Sequence, residues 1–154
     1  MSQYVHDLKQ GGDAVENHEP IEQFVTRVIN ETVNATVLKM KMAKLIKDDT
    51  KTAYQKTEEV LRYYPSFREV TGKPYTEKLV SRVEAALKEI QTDPYYEIIP
   101  RFYFNNETRE NIALSMGSTV RTVARNKKRL VSVLKAKLFS DDCIRELLFE
   151  TQKE

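Results

Sequence analysis

Apolar residues recur at steps of three and four from Ile21 to Leu138, and no stretch alternates with a period of two. That spacing gathers apolar side chains on one side of a helix, so the chain is expected to be all-α. Ile21, Phe24, Val25, Val28, Ile29, Val33, Val37, Leu38, Met42, Leu45 and Ile46 trace the first stripe. Pro20 suits its opening turn, where a missing N–H is harmless. The pattern loosens at Asn34-Ala35-Thr36, which leaves either one long helix or two. Asp48-Asp49-Thr50 offers a stop and a new N-cap. A second helix carries Tyr54, Val60, Leu61 and Tyr64 and is expected to end at Pro65, with residues 67–74 as a connection. Thr76 is expected to cap a third helix bearing Leu79, Val80, Val83, Leu87 and Ile90. Thr92-Asp93-Pro94 then breaks the pattern. The expected organisation is a flexible tail over 1–19, an N-terminal helical region over 20–92 and a C-terminal helix-turn-helix domain over 93–154.

Several function classes are hard to build from these residues. A single cysteine, Cys143, cannot form an internal disulfide, and with two histidines inside the first eighteen residues it cannot assemble a zinc site. The four glycines, at 11, 12, 72 and 117, match neither a phosphate-binding loop nor a dinucleotide fingerprint. No acid pair, nucleophile–base set or metal-ligand set stands out, so no catalysis, metal or cofactor is expected. No apolar run approaches ~18 residues, and Met1–His18 lacks a signal-peptide pattern, so a cytoplasmic protein without a membrane partner is expected.

Charge is unevenly spread. Residues 108–138 hold eight basic side chains (Arg109, Arg121, Arg125, Lys127, Lys128, Arg129, Lys135 and Lys137) and one acid, Glu110, a net +7. The whole chain carries +2, so the remainder carries −5. A basic segment on an acidic body points to a polyanion, most often nucleic acid.

The same segment contains a helix-turn-helix pattern. Ala113 is the small residue where two helices meet. Gly117 stands four residues later, where a reversing helix needs a residue tolerant of positive φ. Val123, six further on, can close the angle, with Ile112, Met116 and Val120 filling the wedge. Thr108 is an N-cap candidate for the first helix, and Ser118 or Thr119 for the second. Along the second helix Val120, Val123, Leu130, Leu134 and Leu138 share the inward side. Thr119 and Arg121 stand at its start. Arg121, Thr122, Arg125 and Asn126 are the expected base-facing residues, since Arg can read guanine and Asn adenine in the major groove. Lys127, Lys128 and Arg129 are expected on phosphates, which position a protein without specifying sequence. The expected DNA-binding set is therefore Thr119, Arg121, Thr122, Arg125, Asn126, Lys127, Lys128 and Arg129.

Residues 95–138, from Tyr95-Tyr-Glu-Ile-Ile through Asn126-Lys-Lys-Arg-Leu-Val131, resemble the helix-turn-helix of sigma-factor region 4. With Lys51-Thr-Ala-Tyr-Gln-Lys-Thr-Glu-Glu-Val-Leu61 they resemble the ArpU/RinA group of phage late-gene regulators. The Arg121–Leu130 run is the most specific part of the likeness. Pro100 departs from it, falling inside the scaffold helix of the sigma-like unit, so that helix is expected to be kinked or to start late. The resemblance implies a prophage-encoded transcriptional activator in a Gram-positive bacterium, acting upstream of packaging, structural or lysis genes. Double-stranded DNA is the partner it implies, with RNA polymerase and a second copy of the chain as further candidates.

The alternative function is a packaging component of the small-terminase type, an oligomeric DNA adaptor that also carries a helix-turn-helix. A true sigma factor fits less well, because residues 1–90 lack Trp and are acidic on balance. The long first stripe reads as internal core, a dimer seam or a polymerase-facing surface. Ile21, Val28, Ala35 and Met42 fall seven apart, but Glu31 interrupts the intervening series, against a strict coiled coil.

Overall fold

The computed structural model describes residues 19–70 and 72–140. The expected tail up to residue 18, and residues 141–154 of the expected C-terminal domain, lie outside them. Among the described residues the chain is helical and holds no strand. In order these are α1 (Ile21–Lys47), α2 (Ala53–Glu69), α3 (Pro74–Ile90), a π-helical segment (Pro100–Phe104), α4 (Arg109–Ser115) and α5 (Val120–Leu138).

Local chemistry explains most boundaries. α1 is one helix of 27 residues. It runs through Asn34-Ala35-Thr36 because Ala35 and Leu38 are buried there and the Thr36 hydroxyl donates to the Thr32 carbonyl at 3.0 Å. It ends at Lys47, and the Lys56 ammonium donates to the Ile46 carbonyl at 2.7 Å, satisfying an orphan acceptor of the last turn. The stop at residues 48–50 is where the pattern put it, but the new cap is Thr52. Its hydroxyl accepts from the Gln55 N–H at 3.2 Å while the Gln55 side chain accepts from the Thr52 N–H at 2.9 Å, a complete capping box.

Two expectations fail. Pro65 does not end α2, which continues to Glu69. A mid-helix proline costs about 3 kcal/mol, but carrying the chain on as helix to Glu69 buries Phe67 and, just after it, Val70, together worth roughly 3–6 kcal/mol, which offsets that cost. Thr76 does not cap α3, which starts two residues earlier with Pro74 in its first turn. The Thr76 hydroxyl instead donates to the Lys73 and Val70 carbonyls, at 2.9 and 3.3 Å, which lets a polar residue sit fully buried.

The expected break at Thr92-Asp93-Pro94 is a turn but does not divide the core. One apolar cluster joins Leu38, Met42 and Leu45 of α1, Leu61 and Phe67 of α2, and Leu79, Val83 and Leu87 of α3 with Leu130, Val131, Leu134 and Leu138 of α5. A second, smaller cluster of Ile98, Ile112, Ala113 and Val123 sits under the helix-turn-helix. Tyr95 and Phe102 pack against both clusters and join them. α5 therefore belongs to two cores at once, its first turns to the smaller and its remainder to the larger.

A shared core makes a specific demand on unfolding. Leu134 is completely buried, so Leu134→Ala should cost about 2–5 kcal/mol through lost transfer energy and the cavity left behind. Because α5 packs on α2 and α3, amides of α2 and α5 should lose hydrogen-exchange protection together. Protection lost in α5 alone would show that the two parts unfold separately.

Candidate nucleic-acid interface

The turn between α4 and α5 is built as its glycine suggests. Thr108 caps α4, its hydroxyl accepting from the Asn111 N–H at 3.2 Å. α4 closes with a Schellman arrangement: the Ser118 N–H donates to the Ala113 carbonyl at 2.9 Å and the Gly117 N–H to the Leu114 carbonyl at 3.2 Å. Gly117 has φ +60°, as its position requires. A Cβ there would meet nothing within 4 Å, so the demand for glycine is conformational and not steric. Thr119, not Ser118, caps α5: its hydroxyl accepts from the Thr122 N–H at 3.1 Å and donates to the Thr122 hydroxyl at 3.0 Å. Ile112 and Val123 are completely buried where the two helices meet, and Met116 packs beside them. Val120 does not fill the wedge; it is 38% exposed.

Pro100 shapes the segment behind this unit. It has no N–H to donate, and the chain widens there into a π-helical turn that closes with the Asn105 N–H on the Pro100 carbonyl at 3.0 Å. The segment starts late, in keeping with the proline's place in the sequence. Asn106 then turns the chain at φ +54°, a conformation asparagine tolerates. Arg101 clamps this turn to α4 and the residues just before it: its guanidinium bonds the Glu107 carboxylate at 2.6–3.1 Å and also reaches the Ser115 hydroxyl. The Arg101 guanidinium holds the Glu107 carboxyl below its ordinary range.

The eight expected contact residues divide sharply. Arg121, Arg125 and Lys128 are exposed and make no ion pair among the described residues. They stand four and three residues apart, so they line up on the side of α5 opposite Val123, Leu130 and Leu134. Lys135, seven residues beyond Lys128, extends that row and also has no ion pair among the described residues. It belongs to the basic segment but not to the expected contact set; its spacing from Lys128 is the signal in the sequence that could have placed it there. Thr119 is exposed and Thr122 half-buried, and both hydroxyls serve the cap.

Asn126 and Lys127 are largely buried, against expectation, and Arg129 stays 47% exposed but is held in an ion pair. Asn126 is only 6% exposed; its amide donates to the Thr122 carbonyl at 3.0 Å and its oxygen accepts from Arg129 at 3.2 and 3.3 Å. Arg129 grips Asp93 with two bonds of 2.7 and 2.9 Å. That bond, with the Tyr95 N–H on Asp93 Oδ1 at 2.9 Å, lowers the Asp93 carboxyl. Lys127 turns inward to Glu58 of α2 at 3.1 Å and lies 4.4 Å over the Phe102 ring. Tyr103 completes the group, donating to Glu58 at 2.6 Å. Burial raises the Glu58 carboxyl, but the bonds from Tyr103 and Lys127 outweigh burial and leave it below the ordinary range. Burial and the Glu58 charge both push the Tyr103 phenol strongly upward, so it stays a donor. Asn126 bonds only within α5, whereas Arg129 and Lys127, also expected to face DNA, hold α5 to the rest of the protein. Their partners, Asp93 and Glu58, lie 36 and 69 positions away in sequence, out of reach of any local pattern.

Among the described residues no group of side chains could hold a metal ion, and no helix is long and apolar enough to cross a membrane. Comparison with family models, curated proteins and solved structures finds no match to this chain.

The turn and the buried ion pair can each be tested by substitution. Gly117→Ala should cost roughly 1 kcal/mol through the left-handed backbone alone, and Gly117→Asn less. Equal melting of all three chains would contradict that account. Glu58→Gln should destabilise by up to ~3 kcal/mol, since it leaves the Lys127 ammonium largely buried without its counter-charge. Because the folded Glu58 carboxyl lies below its unfolded value, its contribution is fully present above about pH 4.5, the ordinary glutamate value, and is lost as pH falls below it. Denaturant melts of the native chain and Glu58→Gln should therefore differ at pH 7 and converge toward pH 3.

Proposed function

We propose that the protein is a sequence-specific, double-stranded-DNA-binding transcriptional regulator that acts through α5. The observation that carries this reading is the row Arg121, Arg125, Lys128 and Lys135, cations without ion pairs among the described residues, lying opposite the buried side of a helix that a glycine turn sets against α4. The row extends about 21 Å at 1.5 Å per residue, long enough to follow a groove and its flanking phosphates. Arg121 and Arg125 stand in the first two turns of α5, the part of such a helix that meets base edges. Lys128 and Lys135 lie further along, suited to phosphates. Lys127 ties the helix to α2, and Arg129 ties it to the turn after α3. The likeness of residues 51–61 and 95–138 to the ArpU/RinA group supports the narrower reading, an activator of phage or prophage late genes in a bacterial cytoplasm. Contact with RNA polymerase belongs to the same reading.

Binding of labelled duplex DNA by anisotropy across a salt series tests it. Two phosphate-facing cations, Lys128 and Lys135, at ~0.9 each give a slope of log affinity on log salt near −2 per chain. A slope near zero would remove the DNA-binding reading. Arg125→Ala should cost ~1–3 kcal/mol on a preferred site and much less on scrambled duplex. Asn126→Ala should lower stability by about 1 kcal/mol while leaving the preference between the two duplexes unchanged.

A further inference from the structure

α1 has two apolar sides, and only one meets the rest of the protein. Ala35, Leu38, Met42 and Leu45 face the core. At 100° per residue, Val25, Ile29, Val33, Val37 and Met40 fall on the opposite side of the same helix. They are 42–67% exposed. Thr32 and Thr36, at the edge of that side, return their hydroxyls to the carbonyls of Val28 and Thr32, at 2.8 and 3.0 Å, so neither hydroxyl needs water. The polar edge of the helix is already self-sufficient there: Arg27 pairs with Glu19 at 2.9 Å and Glu31 at 3.5 Å.

The charges at the ends of this outer face are complementary to each other. Glu22 lies at its first turn and Lys44 at its last, both exposed and neither in an ion pair among the described residues. They are 22 positions apart, about 33 Å along the axis. Val33 is their midpoint. A two-fold axis through Val33 therefore places Glu22 of each copy on Lys44 of the other, Val25 beside Lys41, and Ile29 on Val37. A parallel pair would set Glu22 against Glu22 and Lys44 against Lys44, and would align the two helix dipoles unfavourably.

We infer that the outer face of α1 is a dimer seam, taking α1 of a second copy of this chain in antiparallel register about Val33. The five apolar side chains expose roughly 500 Å², and with the edge threonines and the stems of Glu22 and Lys44 the face approaches the ~800 Å² each partner brings to a standard interface. An apolar patch of roughly 500 Å² lies toward the upper end of what a monomer exposes, and patches of that size are often interaction sites. The two-fold makes the contact self-complementary and closed at two copies. The seam does not depend on DNA binding.

Mass and cross-linking test it on the full chain. Sedimentation at tens of micromolar should give twice the 18.0 kDa of one chain, and Val33→Glu should return it to 18.0 kDa with its helix content unchanged and its melting temperature no longer dependent on protein concentration. In a Cys143→Ser background, Val33→Cys should oxidise to a disulfide-linked dimer. Glu22→Cys alone should not, but Glu22→Cys mixed with Lys44→Cys should, because only antiparallel pairing brings those Cα atoms within the ~7 Å a disulfide allows. A monomer at every concentration overturns the seam, as does a dimer indifferent to Val33→Glu. Self-linking of Glu22→Cys overturns the antiparallel register.

Discussion

Burial of Leu130, Val131, Leu134 and Leu138 against α2 and α3 is the contact on which the rest of the molecule depends. It takes the second half of a basic helix into the main core. A helix so held can leave only one side open, and the side left open carries Arg121, Arg125, Lys128 and Lys135. Contacts of this kind are additive in area and unforgiving of gaps, so orientation about the helix axis is set tightly. The smaller cluster under Val123 then fixes α4 against the same helix.

Charge is divided by the same logic. Seven of the eight basic side chains of residues 108–138 lie on α5. Lys127 goes to Glu58, Arg129 to Asp93 and Lys137 to Glu89 at 2.9 Å. The three anchors belong to α2, the turn after α3, and α3 itself. The Lys137 pair is half exposed and contributes little. The Lys127 pair is largely buried, and its value lies in the penalty for breaking it, which opposes rotation of α5 away from α2. The acidity of the N-terminal region thus has a structural use: it holds part of the basic helix and leaves the other part uncompensated.

α1 stands apart from this arrangement. Its core-facing side is covered from Ala35 onward, whereas Ile21 and Phe24 reach past the other helices and remain 80% and 50% exposed. A second copy on its outer face would join two basic rows in one particle, and the salt dependence of binding would then reflect both rows.

The sequence by itself determined the helices, the glycine turn and the capping threonines at 108 and 119. Each arises from interactions within a few residues: apolar spacing, hydroxyl-to-amide caps, and the freedom of Gly117 at positive φ. It also marked α5 as the charged helix. Tertiary structure decided which of those charges are open. Lys127 and Arg129 look like their unpaired neighbours in sequence, and only the positions of Glu58, Phe102 and Asp93 distinguish them. Pro65 belongs with them, since its helix continues only because Phe67 has a core to enter. In each case a partner far along the chain outweighs a local preference of a few kcal/mol, and that partner's position is fixed only when the helices pack.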